Sequence, residues 1–187
     1  VRTNRVIEEC DIAAVMIDAK KGFGNQDKDI VRYVIDSGKG LIIVINKWDL
    51  IEKDTDTMKE FIEEMIYRYS GVSHYPILFT SVTENQRLFN LLEVSIELDE
   101  KRKRKIGTKE LNTFLEKSYS KYPPPAIKGK NLKIKYGTQV HRSPPIFAFY
   151  TNHPGLYPVS YKRYLENQLR EHFDLKGVSF IISFRKK

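Results

Sequence analysis

Three short apolar runs stand out in the first hundred residues, at positions 11–19, 41–45 and 76–80. Each is too short for a typical helix, so we interpret them as strands, the first two buried on both faces. Segments with a helical hydrophobic period follow these runs, at residues 26–36, 58–69 and 85–100. Asp56 or Thr57 is expected to be the N-cap of the second of these helices. The alternation predicts an α/β unit, a parallel sheet with crossover helices.

The pattern of the second half predicts a different architecture. Helix and strand signals come in the order helix–strand–strand–helix–strand, which is typical of a small α+β unit. These elements are predicted at residues 110–119, 132–136, 146–150, 159–173 and 178–184. The first helix ends before the prolines at 123–125, because proline cannot continue a helix. We therefore place one domain at residues 1–105 and a second at 106–187.

Charge separates the same two halves. Residues 1–100 carry 12 Lys+Arg and 19 Asp+Glu, whereas residues 101–187 carry 20 and 5, so the chain's net charge of +8 hides an acidic half and a basic half. A basic unit suggests a polyanionic partner, most often nucleic acid. The run Lys101-Arg102-Lys103-Arg104-Lys105 fits either a solvated linker or a phosphate-contacting segment.

Cysteine usage and hydropathy suggest a compartment. A single cysteine, Cys10, excludes a disulfide framework and fits a reducing environment. The longest apolar runs are far too short to span a bilayer, so we expect a cytoplasmic location and no membrane partner. His141 and His153 have no companions at ligand spacing, so we predict no metal site.

The tetrad Asn46-Lys47-Trp48-Asp49 directly follows the apolar run 41–45. In open α/β sheets ligands bind at the carboxyl ends of the strands. Asn-Lys-x-Asp at that position suggests recognition of guanine, because the carboxylate of Asp49 can accept both N–H donors on one edge of the base. Asn46 would brace the loop and the stem of Lys47 would lie over the base. The alternative is a solvated turn in which an Asp caps the next helix.

A second guanine-reading element is predicted at Ser81-Val82, after the run 76–80. The backbone N–H of Val82 would donate to the guanine oxygen that adenine lacks. The sequence contains no Gly-x-x-x-x-Gly-Lys-Ser/Thr motif, so it lacks a phosphate cradle and the ligands for Mg²⁺. We therefore predict no catalytic residues in this chain and expect that it does not hydrolyse GTP by itself.

Basic residues of the second half suggest contact with phosphates. Lys133 and Lys135 share one face of the predicted strand, and Arg142, Lys162 and Arg163 could extend this surface. The alternative is scattered solubilising charge. Four aromatic residues, Tyr136, Phe147, Phe149 and Tyr150, could stack on bases, but alternating aromatic residues in strands are more often core, which we favour.

With both halves interpreted, the sequence resembles the C-terminal part of the Der (EngA) family, bacterial GTPases with two tandem G domains and a KH-like domain. The resemblance rests on motifs in both halves: Arg5-Val6-Ile7-Glu8, Val15-Met16-Ile17-Asp18-Ala19, Asn46-Lys47-Trp48-Asp49-Leu50, Pro123-Pro124-Pro125, Lys133-Ile134-Lys135-Tyr136 and Arg163-Tyr164-Leu165-Glu166-Asn167. It implies a partial P-loop-type G domain followed by a small α+β KH-like domain. Val82, in place of the usual Ala, and residues 83–86, in place of a Gly-containing stretch, depart from the family pattern.

The resemblance also implies ligands and partners. These are GTP or GDP with Mg²⁺ in the intact protein, rRNA and the large ribosomal subunit, whose assembly the family assists, and the N-terminal G-domain segments missing from this sequence. Two alternatives remain open at this point. The chain could be an RNA-binding or docking module whose half G domain is only a scaffold, or its KH-like unit could chiefly contact the missing G-domain segments.

Overall fold

The computed structural model describes residues 2–52, 54–84 and 87–186 and divides the chain into two compact units. Unit 1 comprises the described residues up to Glu100 together with Lys176–Ser179. Unit 2 comprises Lys101–Leu175 and the described residues from Phe180 onward. The segment Lys176–Ser179, near the C-terminal end of the chain, therefore belongs to unit 1, which the first half of the chain otherwise forms.

Unit 1 is a three-stranded parallel sheet with helices between the strands. In chain order its elements are α1 (Arg2–Glu9), β1 (Ile12–Asp18), α2 (Asn25–Asp36), β2 (Gly40–Asn46), α3 (Thr57–Arg68), β3 (Ile77–Phe79) and α4 (Leu88–Lys103), whose last three residues are assigned to unit 2. The strand order is β1-β2-β3, and both neighbouring pairs are parallel. The predicted parallel sheet with crossover helices is confirmed.

Burial differs between the two strands that we expected to be covered on both faces. In β2, every residue from Leu41 to Ile45 is at most 1% exposed, as predicted. In β1, Val15 and Ile17 are buried but Met16 is 55% exposed, so the prediction was wrong for this strand. Because alternate residues of a strand point to opposite faces, the alternating burial shows that one face of β1 is open among the described residues.

Helix α4 carries an uncovered apolar stripe. Leu98 is buried, but Phe89, Leu92 and Ile96 are each more than 60% exposed. These three residues recur at intervals of three and four, so they form one face of the helix. A contiguous exposed apolar face of this kind is typical of a surface that binds another protein segment.

The segment Lys176–Ser179 is bonded into unit 1. The Gly177 N–H donates to the carbonyl of His74 at 2.8 Å, and the Gly177 carbonyl accepts from the Leu41 N–H at 3.3 Å. The hydroxyls of Tyr75 and Ser179 form a buried hydrogen bond at 3.0 Å. The strand that we predicted from residue 178 therefore begins only at Ile181.

Unit 2 has the predicted order of elements. They are α5 (Thr108–Lys121), β4 (Ile134–Arg142), β5 (Pro145–Thr151), α6 (Val159–His172) and β6 (Ile181–Lys186). The strand order is β4-β5-β6, with β4 antiparallel and β6 parallel to β5. Strand β4 is therefore an edge strand, and it continues six residues beyond the end that the sequence pattern predicts.

The described residues contain neither a membrane-spanning helix nor a cluster of metal-ligand side chains. No helix in this part of the chain is both long and apolar enough to cross a membrane. Among the same residues, no group of three or more His, Cys, Asp and Glu side chains is arranged to hold a metal ion.

Candidate functional site

The tetrad Asn46-Lys47-Trp48-Asp49 forms a tight turn at the carboxyl end of β2. Asn46 is the last residue of the strand, Lys47 adopts a left-handed conformation with φ of 62°, and Trp48–Leu50 form a 3₁₀ turn. Trp48 is buried against Phe79, with ring centroids 4.4 Å apart, and against Phe61 at 5.7 Å. The buried Trp48 anchors the turn, while the polar residues on either side of it remain at the surface.

Asn46 ties the ends of the three strands together. Its side-chain oxygen accepts a hydrogen bond from the backbone N–H of Val82 at 3.2 Å, and its carbonyl accepts from the N–H of Ala19 at 2.9 Å. The Trp48 N–H also donates to the carbonyl of Thr80 at 3.1 Å. The loops that follow β1, β2 and β3 are therefore held in one bonded arrangement.

Lys47 has a partner that sequence reasoning missed. Its ammonium group lies 2.7 Å from the carboxylate of Asp18, the last residue of β1. The other oxygen of Asp18 accepts the backbone N–H of Lys20 at 3.0 Å. This pair could have been inferred from the register of the parallel sheet, which places Asp18 opposite Asn46, the neighbour of Lys47, at the ends of adjacent strands.

The ion pair between Lys47 and Asp18 leads to a testable prediction about the pKa of Asp18. The hydrogen bond from Lys47 is the main reason that the pKa of Asp18 is below its ordinary value. We expect Lys47→Ala to raise this pKa, measured by NMR titration of the side-chain carboxyl carbon. Because the folded pKa is lowered, the pair stabilises the fold above the ordinary Asp pKa and loses this contribution as the pH falls through the folded pKa.

The matched control for this titration is Lys28→Ala, which removes a charge that does not act on Asp18. An unchanged pKa of Asp18 in the Lys47→Ala variant would show that the ion pair does not persist in solution.

The remaining residues of the predicted guanine site differ in whether their polar groups are already hydrogen-bonded within the protein. Asp49 is half-buried, and its carboxylate has no hydrogen-bond or ion-pair partner among the residues that the structure describes. Ser81 is fully buried, and its hydroxyl accepts the N–H of Glu84 at 3.1 Å, so this side chain holds its own loop. Since the Val82 N–H already donates to Asn46, a guanine oxygen would have to share that donor.

The structure does not gather the five predicted RNA-contacting residues into one cluster. Lys133 and Lys135 are exposed and two residues apart. Arg142 lies at the other end of β4, about 23 Å from Lys135 for seven residues of extended strand. Lys162 and Arg163 lie on α6, where the Lys162 ammonium is 3.8 Å from the carboxylate of Glu166. Lys133 directly precedes β4 and Lys135 lies within it, whereas Lys162 and Arg163 are neighbours on a different element.

The basic run at residues 101–105 is largely used within unit 2. Lys101 forms an ion pair with Asp174 at 2.9 Å, and the Arg104 guanidinium donates to the carbonyl of Phe173. Arg102 is only 2% exposed. Lys101 and Arg102 are therefore not part of a freely solvated linker, whereas Arg104 is bonded to the carbonyl of Phe173 but stays exposed.

The four candidate stacking residues divide by face of the sheet. Phe147 and Phe149 are fully buried, so the preferred interpretation as core is confirmed for both. Tyr136 and Tyr150 stand opposite each other on β4 and β5 and stack, with ring centroids 4.5 Å apart and an interplanar angle of 13°. Tyr136 is 37% exposed, so this pair is at the surface.

Comparisons with known proteins agree with this two-part architecture. Residues 1–101 match the family described as elongation factor Tu GTP binding domain. Residues 105–185 match the family described as KH-domain-like of EngA bacterial GTPase enzymes, C-terminal. Each half of the chain thus matches a different family.

Individual relatives match both halves together. The chain is 41% identical, over all of its 187 residues, to GTPase Der of Chlorobium phaeobacteroides, and 41% identical to GTPase Der of Pelodictyon phaeoclathratiforme. It spans 43% of the length of each relative. Among solved structures, Era of Aquifex aeolicus bound to GDP.AlF4- aligns with 98% of this chain and 67% of its own, at 16% identity and a TM-score of 0.45. From the two family matches and the alignment of all 187 residues of the chain to part of each of these relatives, we conclude that the chain belongs to the Der (EngA) family of GTPases.

Proposed function

We propose that unit 1 carries the base-recognition half of a guanine-nucleotide site and that unit 2 presents an RNA-binding surface. The observation that carries the first part is the turn after β2, where Asn46 bonds to the loop after β3 while the carboxylate of Asp49 has no partner among the residues that the structure describes. An available carboxylate on a braced turn at the carboxyl edge of a parallel sheet is suited to a ligand with two adjacent N–H donors.

Each residue of the turn has a role in this proposal. Asp49 accepts the two N–H groups of guanine, and Asn46 fixes the position of the turn. Lys47, held at its ammonium end by Asp18, lays its aliphatic stem along the base. The Val82 N–H, shared with Asn46, donates to the guanine oxygen, and the buried Ser81 shapes the loop that presents it.

The proposal can be tested by NMR titration of the 187-residue chain with nucleosides, which need no phosphate cradle. We expect guanosine to shift the backbone amides of the turn after β2 and of Ser81 and Val82. Adenosine should not do so, because it lacks one donor and the oxygen. Equal shifts with both nucleosides would overturn the proposed base recognition.

GTP hydrolysis is assigned to the complete site. The sequence has no P-loop motif, so in this proposal the phosphate and Mg²⁺ ligands belong to N-terminal G-domain segments of the kind that the family resemblance implies. Those segments are also the partner proposed for the apolar stripe of α4, formed by Phe89, Leu92 and Ile96.

We accordingly expect the purified chain, mixed with GTP and Mg²⁺, to release phosphate no faster than buffer alone. The physical reason is that positioning and charge stabilisation of the phosphoryl group supply almost all of the rate in this reaction class. A release rate that is proportional to protein concentration, and that Asp49→Ala removes, would contradict the assignment.

Unit 2 is proposed to bind rRNA, and the protein to assist assembly of the large ribosomal subunit in the cytoplasm. The support is the charge of 20 Lys+Arg against 5 Asp+Glu in residues 101–187 and the match to the KH-like family. A second function is RNA binding that does not depend on nucleotide, which the basic charge of residues 101–187 supports equally. With the N-terminal G-domain segments restored, an RNA affinity that guanine nucleotide leaves unchanged would support this second function.

A further inference from the structure

We infer that unit 2 binds a phosphate group in a cleft between its two helices, a site that the proposed guanine and RNA contacts do not use. The cleft lies between α5 and α6 and has a volume of about 230 Å³, several times the roughly 30 Å³ that one water molecule occupies in the liquid. Its lining consists of Phe114, Lys117, Ser118 and Lys121 from α5 and Gln168, Glu171 and His172 from α6.

Helical spacing brings these side chains to the same cleft. The α5 residues recur at intervals of three, one and three, and the α6 residues at intervals of three and one, so each set forms one face of its helix. The Tyr164 hydroxyl donates to the carbonyl of Ser118 at 3.0 Å, which fixes α6 against the C-terminal half of α5. The cleft is therefore formed by two packed helices and not by loops.

The base of the cleft is aromatic and holds the imidazole of His172. Phe114 is buried, and the ring centroid of His172 lies 5.2 Å from that of Phe114 and 4.7 Å from that of Phe173. His172 itself is exposed, and its ring nitrogens make no hydrogen bond among the described residues. Two phenyl rings thus fix the position of an imidazole whose nitrogens are available to a ligand.

A buried hydroxyl without a partner is the observation that points to a ligand. Ser118 is only 4% exposed and lines the cleft, yet its hydroxyl makes no hydrogen bond among the described residues. By contrast, the hydroxyls of Ser95 in α4 and Thr113 in α5 each donate to the carbonyl four residues earlier. Buried polar groups in native proteins are nearly always hydrogen-bonded, so an acceptor in the cleft would complete this site.

The charges of the cleft match a phosphate. Lys117 and Lys121 are exposed and form no ion pair among the described residues, and the same holds for Glu171, the acidic residue of the lining. Two ammonium groups, a hydroxyl, an amide and an imidazole therefore face one carboxylate. A phosphate monoester carries a charge of about −1.5 to −2 and three strong acceptor oxygens, whereas a carboxylate carries one charge and two oxygens. The larger anion uses this set of donors more completely.

Interaction with the helix ends does not account for the whole cleft. Lys121 and His172 stand in the last turns of α5 and α6, where positive charge complements the helix dipole. Lys117 lies one turn before Lys121, and the dipole gives no reason for the unbonded hydroxyl of Ser118. A bound phosphate accounts for all four residues together.

The test is titration of the 187-residue chain with inorganic phosphate, at constant pH and ionic strength, followed by NMR. We expect the ring C–H resonances of His172 and the amide of Ser118 to shift saturably. Those of His141, an exposed histidine beside Arg142 and outside the cleft, should not shift. Shifts of equal size at both histidines would mean general attraction to a basic surface and would overturn the site.

Ser118→Ala separates binding from folding, because alanine favours a helix at least as well as serine does. We expect phosphate to bind this variant about two- to tenfold more weakly, the effect of one lost hydrogen bond, with an unchanged thermal melt. Lys117→Gln/Lys121→Gln should weaken binding about tenfold, whereas Lys109→Gln/Lys130→Gln, which removes two exposed lysines outside the cleft, should not. Unchanged affinity in Ser118→Ala and in Lys117→Gln/Lys121→Gln would overturn the proposal.

Two further probes identify the source of the phosphate and test the alternative ligand. If a decaribonucleotide with a 5′-phosphate binds more tightly than the same strand with a 5′-hydroxyl, and Ser118→Ala removes the difference, the site takes the end of an RNA chain. Equal binding of the two strands, together with saturable binding of inorganic phosphate, assigns the site to a free phosphorylated molecule. A hexaglutamate peptide that shifts the His172 resonances while inorganic phosphate does not would overturn the phosphate site in favour of an acidic protein segment.

Discussion

The Asp49→Asn variant is expected to lose its response to guanosine and to gain one to xanthosine. The carboxylate accepts two N–H groups, whereas the amide that replaces it has one acceptor and one donor, and the donor faces the amino group of guanine. Hydrogen bonds to charged groups are worth about 1.5–3 kcal/mol each, so we expect at least about a hundredfold loss of affinity. Xanthine carries an oxygen in place of that amino group and so restores a matched pair.

The measurement is NMR titration of the variant with guanosine, xanthosine and adenosine, following the amides of the turn after β2. Asp56→Asn is the matched control, because Asp56 is an exposed acidic residue whose side chain makes no cap hydrogen bond to α3. If Asp49→Asn responds to guanosine as the unmodified chain does, Asp49 is not the base-reading residue and the solvated-turn interpretation is favoured.

Gly177→Ala is expected to destabilise unit 1 by about 2–5 kcal/mol, a large share of the roughly 5–15 kcal/mol that holds a typical domain folded. Gly177 has φ of +84°, where a side chain costs about 1–2 kcal/mol. A Cβ atom would also lie 2.8 Å from Leu98 and 3.1 Å from Pro76, and such overpacking costs about 1–3 kcal/mol.

Urea unfolding followed by tryptophan fluorescence measures this effect in the correct unit. Trp48 is the single tryptophan of the chain and is buried in the core of unit 1. Gly155→Ala is the matched control, because a Cβ atom at Gly155 would meet nothing within 4 Å. Equal midpoints for the two variants would mean that the segment Lys176–Ser179 contributes little to the stability of unit 1.

The sequence predicts the sheet of unit 1 because its signals are local. The apolar run of β2 and the helical period of α2 identify the elements, and the parallel order follows from their alternation. The start of α3 shows the limit of local reasoning. The N-cap residue is Asp56, but the side chain that caps is that of Asp54, whose Oδ1 accepts the N–H groups of Asp56 and Thr57 at 3.0 and 2.9 Å. Several polar residues stand together there, and sequence alone does not choose among them.

Features that depend on distant partners were not predicted. The pairing of Lys47 with Asp18 spans 29 residues, and the hydrogen bond from the Gly137 N–H of β4 to the side chain of Asn112 spans 25. The apolar run that begins at residue 178 has the pattern of a strand throughout. Its first residues, Val178 and Ser179, nevertheless belong to unit 1, and strand β6 of unit 2 begins only at Ile181. Hydrophobic patterning identifies what is buried, but not which of two cores buries it.

The return of Lys176–Ser179 to unit 1 has a consequence for synthesis on the ribosome. Roughly 75 residues separate Glu100 from Lys176, and translation at about 5–20 residues per second needs roughly 4–15 s to add them. During that interval the nascent unit 1 lacks the backbone groups of Gly177 that bond to Leu41 and His74. Its sheet is encoded first, yet it is completed only after most of unit 2 has been made. We therefore expect co-translational folding of the two units to be interdependent and not strictly sequential.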